Sequence, residues 1–567
     1  MAAFHRFRRD SEEKIPMKFM NLFAAALLVA TTQLHAAMAP EALIRFQSDL
    51  DTLAIELPKR HANLFHTTTR ERFEQEVAAL RERLPTFDEQ QALIGLTRIT
   101  ALARDGHTAL FLLPFPGAPA VRGVTQLPIQ FYAFDDGVRV IAIDKAHQAL
   151  LGARLTRVGE AAIDDIRPRI EELLPQDNAM GRAEYLAWYL ALPDVLNSVG
   201  AAPDRSKVRL QFEQAGKSQT IELAPMTAEP DAGWATRLIT LPGPRDAWIG
   251  AADAAPTPRW LRDSGKAYWF ERDVDGLVYA QINLMRDTGD QSFADFSAAL
   301  LAQVATDESA RLVLDLRFNR GGNGDLIWPM IYAVIRHDAV NRPGHLFVIT
   351  SRRTFSAAQM FANALEKHTK AVFVGEPTGS SPNHYGEVGQ LKLPGAGVTA
   401  IYSQYYYQHN PADRRPWIPP HLSAPLHYQD LASGRDPAMD AIEHFTAPPD
   451  AVALLRPELD AGKPATALAH FATATAAWRN PWRNLFETQL NDYGYQLIAK
   501  KRMDDATLVL KLVTDLYPES ANAWDSLGEV NGLADHRARA AYCYARSLRL
   551  DPANAHGADQ LDALLGN

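Results

Sequence analysis

The sequence predicts an α/β multidomain protein in which a buried-sheet core is flanked by a helical N-terminal region, a mixed α+β module and a helical tail. Three observations predict it. Residues 311–323 are a continuous apolar strand ending in Asp-Leu-Arg and a Gly-Gly turn, the pattern of a strand, turn and helix built on a sheet buried on both faces. Residues 350–383 repeat the theme, with apolar residues at helical spacing after Ser356 and a buried-strand run, Ala371-Val-Phe-Val374, after those. Beyond Pro448-Pro449 the chain superposes on itself at a shift of 34 residues.

Composition sets the outer bounds. With 567 residues, 47% hydrophobic and 22% charged, the chain has room for several ordinary globular cores. A net charge of -9 without a basic block beyond the N-terminus speaks against a nucleic-acid partner. The single cysteine, Cys543, excludes an intramolecular disulfide framework, and no Cys/His cluster has zinc-site spacing. Neither a metal nor a cofactor is expected.

Residues 1–39 are expected to be a signal peptide with an upstream extension. Met17-Lys18 precedes an apolar run, 19–30, that is too short to span a bilayer comfortably, and the small residues Ala36-Ala-Met-Ala39 follow. Pro40 is a poor residue to follow a cut, which places cleavage after Ala36 or Ala37. Arg6, Arg8 and Arg9 either lengthen the charged region or precede the start that is used. No later run reaches spanning length, so the expectation is a soluble exported protein, periplasmic or secreted.

A helical domain is expected over 40–115, from apolar periodicity in 42–46, 73–84 and 91–102. A helix ending at Gly106 in Asp105-Gly-His-Thr108, followed by an apolar strand 109–113, holds the His107 imidazole on a junction. His107 is there either as a functional group or as a satisfied structural histidine. Residues 116–235 read as a mixed module: strands at 127–131 and 138–143, an amphipathic helix 161–174, and a hairpin of 207–212 with 219–223. That order resembles a PDZ-like domain, although no clear carboxylate-binding glycine loop is visible. Recruitment of peptide C-termini by strand addition and a purely structural insert are both open readings.

The core is placed at 236–447. Within it, Ser356 opens a helix after the short polar segment 351–355. Free N–H groups and the positive end of a helix dipole there favour the negative charge that an acyl-transfer intermediate develops. The competing role for such a serine is an N-cap. The paired glycines let main chain approach a ligand closely, so the amide of Gly321 or Gly322 can serve as an oxyanion donor beside that of Ala357. Asp436 is expected to cap a helix that begins at Pro437.

Taken in order, Asp315-Leu-Arg-x-Asn-x-Gly-Gly322, Thr354-Phe-Ser-Ala-Ala358, Val374-Gly-Glu-Pro-Thr-Gly379 and Gly434-Arg-Asp-Pro437 resemble the tail-specific (C-terminal processing) serine protease family. The likeness is closer to the branch related to interphotoreceptor retinoid-binding protein and the tricorn core; it is strong over 268–445 and weaker back to Glu41. It implies a ClpP/crotonase-like α/β protease core with Ser356 as nucleophile. The best-known branch carries its basic lysine in a Gly-Lys-Gly, whereas this chain reads Gly379-Ser-Ser-Pro382. A serine needs a base. The resemblance offers His107 in that role, Asp413 as the acid that orients it, and Gly322 and Ala357 as the oxyanion pair. Glu387 and Glu376 compete with Asp413; Lys370 and Lys392 remain as bases away from the family position. Gln359 stands where the family has Glu.

The tail, 448–567, superposes Leu490, Gly494, Ala506, Leu510 and Pro518 on Trp524, Gly528, Ala540, Tyr544 and Pro552, the period and small/large/proline pattern of tetratricopeptide repeats. Two repeats and a last helix, 556–565, are few for a free-standing solenoid, so the tail is expected to pack on the core or on helices from 453 to 485. It is either a docking surface for a protein partner or a stabilising cap. The expected function is hydrolysis of peptide bonds in a protein or peptide substrate. Its rivals are a catalytically inactive ligand- or peptide-binding protein on the same fold, and a scaffold that works through its tail.

Overall fold

The computed structural model describes residues 37–112, 121, 123–227, 247–304, 310–476 and 483–566. The expected leader through Ala36 lies outside the described residues. No described helix is long and apolar enough to cross a membrane.

Three helices open the described chain: α1 (Pro40–Arg60), α2 (Arg70–Arg83) and α3 (Glu89–Ala101). Proline at the first turn starts α1, and a capping box between Asp88 and Gln91 starts α3. The antiparallel strands β1 (Ile129–Phe134), β2 (Gly137–Asp144) and β3 (Arg154–Val158) follow, then α4 (Ile163–Glu171), α5 (Ala179–Tyr189) and α6 (Pro193–Ser198). The hairpin of β4 (Val208–Gln214) and β5 (Lys217–Leu223) turns at Ala215-Gly216, both at positive φ, and β6 (Trp248–Gly250) pairs with β2. Helices and strands of these two regions share one core, in which Phe46, Leu53 and Leu96 join Phe131, Leu155 and Phe212.

The central sheet runs β7 (Tyr268–Arg272), β8 (Leu277–Ile282), β9 (Arg311–Asp315), β10 (Leu346–Thr350), β11 (Val372–Gly375) and, after the long hairpin β12 (His384–Leu393) with β13 (Val398–Tyr407), β14 (Leu422–Ser423). Only the β7–β8 pair in that sheet is antiparallel. Every residue of β8 and β10 is buried, as their unbroken apolar runs require. Alternate side chains go to opposite faces. Val278, Leu312 and Val348 meet α7 (Phe293–Val304), α8 (Trp328–Ile335) and α9 (Ala357–His368), through Phe296, Val334 and Phe361. Tyr279, Val313 and Phe347 meet the C-terminal helices on the other face.

At the carboxyl end of β9 the Asp-Leu-Arg motif becomes a buried network. Arg317 Nε donates to Asp315 Oδ2 (2.8 Å), and its two terminal nitrogens donate to Asp436 at 3.0 and 2.9 Å. Asp436 also caps α10 (Pro437–Glu443) by accepting from Ala438 and Met439 N–H, the expected role. Removing one partner of such a buried set costs about 3–5 kcal/mol, so this network fixes where β9 ends and the glycine turn begins.

Helices α11 (Ala451–Asp460), α12 (Pro464–Ala474), α13 (Arg483–Ala499), α14 (Met503–Leu516), α15 (Ala521–Leu533), α16 (Arg537–Leu550) and α17 (Ala555–Leu565) complete the chain. A Cβ on Gly494 would stand 2.6 Å from Leu510, and one on Gly528 would stand 2.9 Å from Tyr544. The same close helix crossing therefore recurs at the interval read from the sequence. Leu455, Phe471, Leu490 and Leu510 lie in the core of the sheet's second face, so the tail packs both on the core and on the helices before it.

Candidate active site

Ser356 sits where β10 hands over to α9, at the N-cap position, with φ +56° and ψ −124°. Those angles lie in a region that L-residues avoid, at a cost of about 1–3 kcal/mol. Its hydroxyl makes no capping bond. Instead Ser356 Oγ lies 2.9 Å from His107 Nε2, so the N-cap role is set aside in favour of contact with an imidazole 249 residues earlier.

His107 reaches that position from a turn tighter than expected. Helix α3 ends at Ala101, Arg104 takes a positive φ of 55°, and the expected strand after Thr108 is a single bridge, Ala109 to Ile401 of β13. The ring is buried between Phe355 (centroids 4.5 Å apart) and His384 (5.9 Å). Burial pushes its pKa down to about 4, against the opposing pull of Asp105, the Tyr385 carbonyl and Glu387. The imidazole is thus neutral at pH 7, the form that accepts a proton. With Nε2 accepting from Ser356, the ring proton belongs on Nδ1. Nδ1 is buried and meets no hydrogen-bond partner among the described residues; the Tyr385 carbonyl acts on the ring without completing a bond.

Asp105, unremarked in its motif, organises the junction. Its Oδ1 accepts from His107 N–H (2.9 Å) and Ser403 Oγ (2.7 Å), and Oδ2 accepts from His61 Nε2 (2.8 Å). His61 Nδ1 accepts from Asn63 N–H (2.9 Å), which leaves the ring proton on Nε2 for Asp105. Burial alone would raise the Asp105 pKa, yet these partners hold it below the usual value. A carboxylate that stays ionised two residues before His107 fixes the main chain carrying the imidazole.

Asp413 is not brought to His107. Its carboxylate accepts from Arg415 N–H and Nε, both at 3.0 Å, and Arg415 also grips Glu366 at 2.8 and 2.7 Å. The physical reason is local: a guanidinium two residues away offers a bidentate partner. Glu376 is likewise taken, by Arg352 at 2.7 Å. Glu387 is exposed, accepts from Tyr407 OH (3.1 Å), and acts on His107 only through its charge. Lys370 and Lys392 are exposed.

The glycine turn stands against the serine. Gly321 (φ +111°) is so close that a Cβ there would lie 2.7 Å from Ser356 Cβ and 3.0 Å from Ala357 N. Its own N–H is given to Asn319 Oδ1 (2.9 Å). Gly322 (φ +125°) bridges Met285, and a Cβ would lie 2.1 Å from Met285 O. The Gly321 amide is thus spent on the turn, whereas the Gly322 N–H has no hydrogen-bond partner among the described residues and remains the candidate beside Ala357 at the first turn of α9.

Residues 276–412 match the model of peptidase family S41. The match spans Ser356, Ala357 and both turn glycines; His107 and Asp105 lie before it. No curated protein matches the chain. Among solved structures the chain is similar to mature CPAF complexed with lactacystin (12% identity, 71% of this chain and 97% of that one, TM-score 0.47). It is also similar to the photosystem II D1 C-terminal processing protease (15%, 71% and 99%, TM-score 0.33), and to the tricorn protease (12%, 71% and 36%, TM-score 0.35).

Proposed function

We propose that the protein is a serine-type peptidase that hydrolyses peptide bonds of exported proteins or peptides. One observation carries the reading: Ser356 Oγ, on a strained turn and free of capping duty, lies 2.9 Å from Nε2 of a neutral, buried His107. Ser356 attacks the scissile carbonyl carbon while its proton passes to His107 Nε2. The carbonyl oxygen becomes an oxyanion and takes hydrogen bonds from the Gly322 and Ala357 amides. As the tetrahedral intermediate collapses, the C–N bond breaks and His107 returns the proton to the leaving amine. Water, deprotonated by the same imidazole, then hydrolyses the acyl-enzyme. Asp105 fixes the junction from which His107 works and is a positioning residue.

The family match over residues 276–412 supports peptidase chemistry. The finer assignments are part of the proposal: a tail-specific protease, exported to the periplasm or secreted, with a PDZ-like insert and a tetratricopeptide tail as docking surfaces. A catalytically silent binding protein on the same fold is the second reading, favoured by the lack, among the described residues, of a carboxylate on His107 Nδ1. The test is labelling with a fluorophosphonate probe. The wild type should label, and Ser356→Ala and His107→Ala should not. A folded wild type that stays unlabelled would remove the peptidase reading.

A further inference from the structure

Residues of the mixed module, between α4 and α5, reach across to two loops of the site. Gln176 N donates to Asp105 O at 3.2 Å. Asp177 Oδ1 accepts from Gly106 N–H at 2.7 Å, and its Oδ2 accepts from Ser380 Oγ. Asn178, the N-cap of α5, donates from Nδ2 to Thr378 O at 3.1 Å. Asp177 therefore bonds two loops at once: the turn that ends in His107 and the loop that follows Gly379. Its partners lie 71 and 203 residues away in sequence. Gly106 has no slack of its own, because a Cβ there would stand 2.5 Å from the Phe355 ring that stacks on His107.

We propose that Asp177 is a positioning residue, which ties the main chain beside His107 to the Ser380 loop. This rests on the reading of Ser356 and His107 as nucleophile and base. The ionised carboxylate accepts from both donors, and charge-assisted bonds are about twice as strong as neutral ones. Gly106 N–H is a fixed donor, so a proton on Asp177 must sit on Oδ2. Ser380 then turns from donor to acceptor. The groups facing Asp177 are the Ser380 hydroxyl, the Gly106 and Ser381 N–H groups, the Asp105 carboxylate and the Tyr185 phenol, which burial keeps neutral. Burial pushes its pKa up to about 7, with the Asp105 charge adding to the rise and the three donors opposing it. Because the raised pKa means that the buried carboxyl takes up its proton more readily than an exposed one, the tie is kept as pH falls through neutrality.

The test compares wild type, Asp177→Ala and Asp177→Asn by fluorophosphonate labelling rate, and by hydrogen exchange of the peptide spanning 105–109. Removing the tie should slow labelling on the order of 10²-fold, the cost of misplacing a catalytic group by about 1 Å. Exchange at 105–109 should quicken. Asparagine keeps an acceptor for Gly106 and restores most of the rate and of the exchange protection. Asp177→Ala that labels at the wild-type rate with unchanged exchange overturns the proposal, as does Asp177→Asn that labels as slowly as Asp177→Ala. A wild type that does not label overturns the peptidase reading instead, and the exchange comparison still decides whether Asp177 holds the junction.

Discussion

Gly321→Ala is the sharpest perturbation of the proposed oxyanion hole. The new methyl would lie 2.7 Å from Ser356 Cβ, 3.0 Å from Ala357 N and 3.1 Å from Ser356 Oγ, where ordinary contact begins near 3.4 Å. Relief requires shifts of several tenths of an ångström on each side, and Ser356 is already held at φ +56°. The methyl also covers the Ala357 amide. Losing one oxyanion donor costs about 10²–10³ in rate, or about 2.7–4 kcal/mol of transition-state stabilisation. Forcing alanine to φ +111° adds a stability cost of about 1–3 kcal/mol. Gly397→Ala separates the two effects, because that glycine also has positive φ (+69°) but nothing within 4 Å of its Cβ position. The assay is the pseudo-first-order labelling rate with a fluorophosphonate, alongside urea unfolding. The expected result is slow labelling for Gly321→Ala alone, with modest destabilisation in both variants. Labelling of folded Gly321→Ala within about threefold of wild type would refute the oxyanion assignment.

Asp413→Ala should leave the labelling rate at the wild-type level and cost about 1–3 kcal/mol through the weakened hold on Arg415, read by urea unfolding; a loss of labelling in the folded variant would return Asp413 to the site. Asp105→Ala strands three buried donors, His107 N–H, Ser403 Oγ and His61 Nε2, and should cost about 3–5 kcal/mol in unfolding experiments; a loss below about 1 kcal/mol would show that the hub is dispensable. Stability should fall as pH drops from about 6.5 to about 4, because burial depresses the folded pKa of His107 (about 4), His384 (about 3) and His421 (about 4), so the unfolded chain binds three more protons. Asp177, raised to about 7, opposes them with one proton bound in the folded state, which leaves a net two among these four groups and a contribution from them of at most about 2.7 kcal/mol per pH unit. Urea titrations at pH 7 and pH 5 would contradict this if stability were flat or higher at the lower pH.

What the sequence made legible was what it carries locally. Ser356 could be found because a polar turn, a helical run and a Gly-Gly strand end are each short-range patterns, and His107 because its Asp-Gly-His-Thr element is contiguous. The choice of Gly322 over Gly321 was not legible, since it depends on the Asn319 side chain turning back onto the Gly321 amide. Asp413 misled because proximity in family position says nothing about which cation a carboxylate meets first, and Arg415 is two residues away. Asp105 carried a local signal, an acid two residues before a histidine in a stretch with few other charges. Asp177 had none, because both of its partners are distant in the chain. The helix before His107 ends early for a backbone reason, the left-handed turn at Arg104, which no apolar periodicity reports.

The covering of the central sheet's second face has a consequence for how the chain comes to its working state. Leu455, Leu490, Leu510 and Val530 shield the side of the strands that faces away from α9. They follow every strand of that sheet in the chain, so they are synthesised after it. Until they arrive, Tyr279, Val313 and Phe347 have no cover, and the strands that aim Ser356 at His107 lack one of their two walls. A half-made chain therefore holds Ser356, the glycine turn and the His107 imidazole on an unfinished frame. The order of synthesis therefore leaves that face of the sheet open until the helices that follow it have been made.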